Sequence, residues 1–230
     1  MAKDIAAKIN FLRHRIAIAC ARSGRDPYSV KLMAVTKTVP VERILQAVES
    51  GITLLGENYV QEAREKHDLV GGRAQMHMIG HLQTNKAKYA VRLFDCVHSV
   101  DRLELARELD RRAKAVGRKM NILVEVNVSG EKTKNGVPAA EAMALVKLLA
   151  PLENLAVQGL MTMAPYSDNP EASRPCFQAL RSLRNDIVRA GIPGIQMEEL
   201  SMGMTDDFEV AVEEGSTIVR IGRAIFGDRR

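Results

Sequence analysis

The sequence predicts a single (β/α)8 barrel. Eight short apolar runs alternate strictly with segments of helical periodicity. The runs are apolar almost throughout, as strands covered on both faces must be. The 230 residues suit eight βα units closed into one domain spanning 1–230. A doubly wound open sheet is the competing arrangement, but no Gly-x-Gly-x-x-Gly follows the first strand.

Taken in order, Ile5, Ile9, Leu12 and Ile16 recur at helical spacing until Gly24 and Pro27 stop that helix. Leu32–Val35 reads as the first strand, followed by a helix opened by Pro40 and closed by Gly51. Thr53–Leu55 is the second strand, and the next helix starts near Asn58, which has capping-box spacing to Gln61. Met76–Ile79 precedes a polar helix through Lys86 and Tyr89. Phe94–Val97 leads to Asp101, placed to cap a long helix with Glu104 at its third position and Gly117 as its stop. Ile122–Val126 is the clearest strand, with a helix from about Pro138. Leu155–Leu160 precedes a helix opened by Pro170 and ended by Gly191. Met197–Ser201, a helix from Asp206 to Gly215, and the strand Thr217–Ile221 complete the series. Only nine residues follow, too few for a full eighth helix, so the N-terminal helix is expected to cover that gap.

Composition narrows the function classes. Hydrophobic residues are 46%, enough for a core without disulfides or structural metal. Aromatics are 4% and Trp is absent, which fits base-stacking nucleic-acid readers poorly. The net charge of +5 suits an anionic small molecule as well as a polyanion. Cys20, Cys96 and Cys176 are too sparse for a ligand pair and point to reduced thiols in a cytoplasmic setting. No signal-peptide block opens the chain, and no apolar run approaches the roughly 20 residues that span a bilayer. The expectation is a cytoplasmic protein that engages neither membrane nor nucleic acid.

In a barrel of this kind the chemistry sits at the C-terminal ends of the strands. Those ends here carry Lys37, Asn58, His77 or His81, His98, Asn127, Met161, Ser201-Met-Gly203 and Arg220-Ile-Gly222. The loops after the last two strands, Ser201–Thr205 and Arg220–Arg223, have the glycines and hydroxyls of a phosphate cradle. Lys37 shares its side of the first strand with Met33 and Val35; if that side faces the interior it projects into the barrel mouth, and the simpler alternative is a solvated lysine at a strand end. A desolvated amine attacks carbonyls. Amine and cradle together point to pyridoxal 5′-phosphate, its aldehyde on Lys37 and its phosphate across the mouth. Simpler roles stay open. Asn58, Ser201 and Thr205 can serve as helix caps, His77 and Met161 as core. Arg220, flanked by Val219 and Ile221, needs a partner or an open cavity. The basic residues Arg107, Arg111, Arg112, Lys114 and Arg118 read as a solvated helix face.

Several segments are familiar as a set. Ala34–Pro40, Gly56–Glu62, His77–Lys86, Asn127–Gly136, Gly159–Met161, Leu200–Asp207 and Val219–Gly227 resemble, in order, the pyridoxal phosphate homeostasis protein family. The departures are Gln75 and Met76 where aromatic residues are frequent, and His81 where proline is common. The resemblance implies a fold-type III barrel like the N-terminal domain of alanine racemase, with the cofactor as an aldimine on Lys37. It implies that Ser201, Thr205 and the backbone of Gly203, Gly222 and Arg223 hold the phosphate. Arg220 is then expected to face the pyridine nitrogen, Asn58 and Met161 to contact or flank the ring, and His77 or His81 to lie at the same mouth.

Two functions remain in contention: a non-catalytic protein that buffers or delivers the cofactor to apoenzymes, and a small amino-acid racemase. A guanidinium at the pyridine nitrogen disfavours ring protonation and weakens the electron sink. Alanine racemase overcomes this with a tyrosine placed in its partner's site by a C-terminal domain, and this chain ends at Arg230, right after the barrel. The expectation is therefore a non-catalytic carrier, monomeric or at most a weak dimer.

Overall fold

The computed structural model describes residues 2–131 and 134–227; Lys132 and Thr133 of the Asn127–Gly136 segment, with Met1 and 228–230, lie outside the described residues. Helix α1 (Ala2–Arg22) precedes eight βα units. They are β1 (Lys31–Val35) with α2 (Val41–Glu49), β2 (Leu54–Glu57) with α3 (Val60–Val70), β3 (Gln75–Met78) with α4 (Ala87–Leu93), and β4 (Cys96–Val100) with α5 (Leu103–Ala115). β5 (Met120–Asn127) with α6 (Ala139–Leu149), β6 (Leu155–Met161) with α7 (Arg174–Arg189), β7 (Glu199–Ser201) with α8 (Phe208–Glu213), and β8 (Ile218–Ile221) with α9 (Arg223–Phe226) follow.

All pairings are parallel and run β4-β3-β2-β1-β8-β7-β6-β5, with β5 returning to β4, so the sheet closes into the expected (β/α)8 barrel. A two-residue segment, Val137–Pro138, adds to the end of β5. The expected use of α1 also holds. Because α9 is a single turn, α1 packs between α8 and α2, burying Ile5, Ile9, Leu12 and Ile16 to 4% exposure or less. A two-pronged contact from Arg15 to Glu209, at 3.0 and 2.9 Å, ties it to α8.

Two capping expectations fail. The helix after β2 begins at Val60 with Tyr59 at its cap and no side-chain cap bond, so Asn58 is left to the loop. The helix after β4 is flanked by Arg102, and Asp101 binds that arginine (2.6 Å) instead of the helix amides. Both residues stand on barrel-mouth loops, their side chains away from the helix amides. Cys20, Cys96 and Cys176 are unpaired, and among the described residues no helix is long and apolar enough to cross a membrane.

The apolar core divides into a wide layer between strands and helices and two small clusters inside the barrel. Met33, Leu54 and Ile218 form one inner cluster; Cys96, Leu123 and Met161 form the other. The space between them is polar.

One contact between strands depends on glycine. Gly159 of β6 lies so close to β7 that a Cβ atom there falls 1.9 Å from the Glu199 carbonyl oxygen. Backbone cannot yield as a flexible side chain can. Gly159→Ala is expected to separate β6 from β7 and destabilise the protein by about 3 kcal/mol. Denaturant unfolding checks this; an unchanged midpoint contradicts so close an approach.

Candidate functional site

The C-terminal ends of the strands surround a cavity of about 510 Å³, a size in the range of small-ligand sites. Six of the residues singled out in the sequence line it: Lys37, Asn58, Thr205, Arg220, Gly222 and Arg223. Lys37 stands two residues beyond β1, half-buried, and Asn58 follows the end of β2. Thr205 comes from the loop after β7, Arg220 from β8 itself, and Gly222 and Arg223 from the turn into α9.

Arg220 organises the interior beneath this cavity. It is only 4% exposed, and burial pushes its pKa down to about 10, with Asp207 and Glu125 opposing that shift. Its Nη1 donates to Ser201 Oγ and its Nη2 to the Thr162 carbonyl, both at 2.8 Å. Ser201 Oγ lies 3.1 Å from His98 Nδ1, and His98 Nε2 lies 2.8 Å from His77 Nδ1. A guanidinium only donates, so Ser201 Oγ accepts from it. The hydroxyl proton then goes to His98 Nδ1, because the described residues offer it no other acceptor. That leaves the Nε2–H of His98 to donate to His77. The chain runs in one direction from Arg220 to His77 and requires both imidazoles neutral.

Burial enforces that neutrality. It holds His77 down to about 3, with the charge of Lys31 adding to the effect. It holds His98 well below the ordinary range, with His77 and Arg220 adding to it. Glu125, also inside the barrel, is pushed up by burial and by Asp101 to about 7 while Arg220 pulls it back.

These positions revise three expectations. Ser201 is fully buried and spends its hydroxyl on Arg220 and His98, below the cavity and not among its lining residues. Met161 is packed inside the barrel beside Cys96 and Leu123; Met163, two residues on, lines the cavity. His77 is likewise buried under the mouth, Ile79 lines it, and His81 is exposed outside it. For Met161 and His77 the residue two positions further along the strand direction is the one that lines the cavity. Ile79 and Met163 were legible from strand alternation. Tyr166 and Met204, which also line the cavity, belong to loops with no periodic signal.

The loop after β7 turns on Gly203. Its φ of +92° favours glycine, and a Cβ there falls 2.5 Å from that of Ala211. This lets the loop fold tightly over α8, with Met204 N–H donating to Asp207 Oδ1 at 2.7 Å. Asp206 at the cavity rim is paired with Arg223 at 2.5 Å. Gly222 stands beside Val35 of β1 at ordinary contact distance.

The donor set fits a small anionic carbonyl compound. An amine, a guanidinium and two glycine-bearing loops face one cavity. Asn58 Oδ1 is buried with no hydrogen-bond partner among the described residues, an acceptor placed for a donor on a ligand. A larger cavity, about 850 Å³, opens at the opposite end of β1–β3, but its cations are already engaged. Arg13 binds the Gly51 carbonyl, Lys31 pairs with Glu199, and Arg73 binds the Leu69 and Val70 carbonyls.

Comparison with known proteins agrees with this geometry. Residues 8–230 match the family described as "Alanine racemase, N-terminal domain". A pyridoxal phosphate homeostasis protein of Aquifex aeolicus is 43% identical over 224 residues, 97% of each chain. Its namesake in Escherichia coli K12 is 37% identical over 98% of this chain and 97% of its own. Among solved structures, PipY of Synechococcus elongatus with PLP bound superposes with a TM-score of 0.84 at 34% identity, covering 97% of this chain and all of that one. Alanine racemase of Clostridium difficile shares the fold, with a TM-score of 0.77 at 16% identity over 99% of this chain and 57% of the racemase. By sequence match over nearly its whole length, and on a barrel of the alanine racemase N-terminal type, this chain belongs to the pyridoxal phosphate homeostasis protein family.

Proposed function

We propose that this protein binds pyridoxal 5′-phosphate at the barrel mouth, covalently through Lys37, and buffers or delivers the cofactor without dedicated turnover of an amino acid. One observation carries the reading: Lys37 on the β1 side and the Thr205, Gly222 and Arg223 loops on the β7–β8 side line a single cavity, with Arg220 below them. The PipY structure with PLP bound supports it. When bound, the cofactor supplies an aldehyde that condenses with a lysine amine. The protein's residues divide the rest. Thr205 and the backbone of Gly203, Gly222 and Arg223 hold the phosphate, Asn58 accepts from the ring hydroxyl, and Met163 and Ile79 flank the ring in place of Met161 and His77. Arg220, a donor without an acceptor, keeps the pyridine nitrogen unprotonated. Ser201 acts behind it, fixing the guanidinium.

The racemase alternative needs an acid–base group on the opposite ring face. Tyr166 is the tyrosine in the cavity wall, but its hydroxyl donates to Asp168 at 2.9 Å, and that carboxylate raises its pKa. It is a reluctant base. The unpaired thiols fit a cytoplasmic setting, and we read 1–230 as one domain working as a monomer or weak dimer, with apoenzymes as transient recipients.

Lys37→Ala is expected to abolish borohydride-trapped mass and the visible absorbance of the bound cofactor while leaving the circular dichroism of the barrel intact. Undiminished trapping refutes the assignment. Pyridoxal, which lacks the phosphate, should bind much more weakly than pyridoxal 5′-phosphate, because charge-assisted hydrogen bonds are lost.

Ser201→Ala should destabilise the protein by about 2 kcal/mol, as expected for a buried hydrogen bond to a charged group. It should leave the ratio of the two affinities unchanged. A collapse of that ratio in equilibrium titrations returns Ser201 to the phosphate. In deuterated water, L-alanine and L-serine should show Cα exchange and racemisation far below the on the order of 1–10³ per second of ordinary enzymes, each missing acid–base group costing about 10²–10⁴-fold. Turnover at ordinary rates, followed by NMR and chiral chromatography, makes the protein a racemase.

A further inference from the structure

The turn that carries Lys37 rests on an unfavourable backbone. Val39 N–H donates to the Thr36 carbonyl at 3.0 Å, closing a four-residue turn with Lys37 and Thr38 at its centre. Thr38 has φ +61°, and among the described residues no other non-glycine residue has a positive φ. A turn with positive φ at its third position ordinarily carries glycine there, and a β-branched side chain in that conformation is strained. Such strain persists only where the surroundings over-determine it.

Here they do so from beneath, through one buried cluster. Thr38 N–H donates to Glu62 Oε2 at 2.7 Å. Lys66 Nζ donates to the Thr36 carbonyl at 2.8 Å, to Glu57 Oε1 at 2.7 Å and to Glu62 Oε2 at 2.8 Å, committing all three of its protons. The Thr36 hydroxyl donates to Glu57 Oε1 at 2.6 Å. Lys66 is 6% exposed and Glu57 fully buried. Glu62 and Lys66 stand four residues apart on α3, so helix periodicity places both on the face that meets the turn. Burial drives Glu62 upward, but the Lys66 ammonium, the Thr38 amide and the charge of Lys37 outweigh it and hold that carboxyl below the usual range. Glu57, buried more deeply, stays above it despite Lys66 and Thr36.

Stability alone does not call for this arrangement, since hydrocarbon of equal volume is often neutral or better in place of a buried ion cluster. Hydrocarbon cannot supply a donor to the Thr36 carbonyl and an acceptor for the Thr38 amide, the two backbone groups that bracket Lys37.

We infer that Lys66, with Glu57 and Glu62, forms a positioning device that holds the Lys37 turn in the geometry needed for covalent capture of the cofactor. The inference rests on Lys37 being the attachment lysine. The full-length protein and its variants are titrated with pyridoxal 5′-phosphate, reading equilibrium affinity from absorbance and borohydride-trapped mass against time. Glu62→Ala, at a position about a quarter exposed, should keep its circular dichroism yet bind about tenfold more weakly and trap more slowly, the scale of one hydrogen bond to a charged acceptor. Glu62→Gln, which retains an oxygen for the Thr38 amide, should recover most of the loss. Lys66→Met should weaken binding at least as much, and Lys66→Arg less. Variants that lose melting temperature but keep wild-type affinity and trapping rate show a merely structural cluster and overturn the inference. Equal losses in the two Glu62 variants overturn it as well. Should Lys66→Met fail to fold, the Glu62 pair decides alone. Lys37→Ala in parallel separates the two readings: retained trapping there removes Lys37 itself, whereas lost trapping beside wild-type binding in Glu62→Ala removes only the positioning device.

Discussion

A guanidinium enclosed in a closed barrel is the constraint around which this interior is arranged. Arg220 sits where neighbouring inward positions hold Met33, Leu54 and Ile218, and a charge there is tolerated only if its donors are met. Ser201 and the Thr162 carbonyl meet two of them, and Glu125 contributes opposing charge. The demand propagates. Ser201, having accepted from arginine, must pass its own proton on, so His98 and then His77 are drawn into the barrel as neutral rings. Four side chains from β3, β4, β7 and β8 thereby fill a space that an apolar core would otherwise occupy.

That filled interior sets the floor of the cavity and explains its depth. With Ser201, Met161 and His77 consumed in packing and hydrogen bonding, the cavity is lined by Ile79, Met163 and the loops after β7 and β8. The two sides of the mouth are stiffened by different means. On the β7–β8 side, Gly203 lets its loop fold tightly against α8. On the β1 side, Lys66 and its two carboxylates brace a strained turn. One side offers amides and a hydroxyl, the other an amine, which is the division an aldehyde-bearing phosphate ester asks for.

Much of this is legible in the sequence. Apolar runs at regular spacing and their interruptions by Gly and Pro specify eight strands, the order of helices and the use of α1 to seal the last gap, because strands buried on both faces have little freedom in composition. Lys37, Asn58, Thr205, Gly222 and Arg223 could be placed at the mouth because strand ends point one way in a parallel barrel. Local capping was read less well. Asn58 and Asp101 have the spacing of caps, yet loop geometry gives them other surroundings.

What the sequence by itself determined is the fold and the set of groups presented at one end of it, since periodicity and strand polarity are local properties carried by the order of residues. Which residues of each strand line the cavity was decided only by the tertiary structure. Depth depends on how far the strands are staggered around the barrel and on how Arg220, Ser201, His98 and His77 share their protons across it. The same holds for Glu57 at the end of β2 and for Glu62 and Lys66 on α3, which are ordinary charges along the chain. Folding brings them under Thr36 and Thr38, where desolvation turns three common charges into a fixed brace.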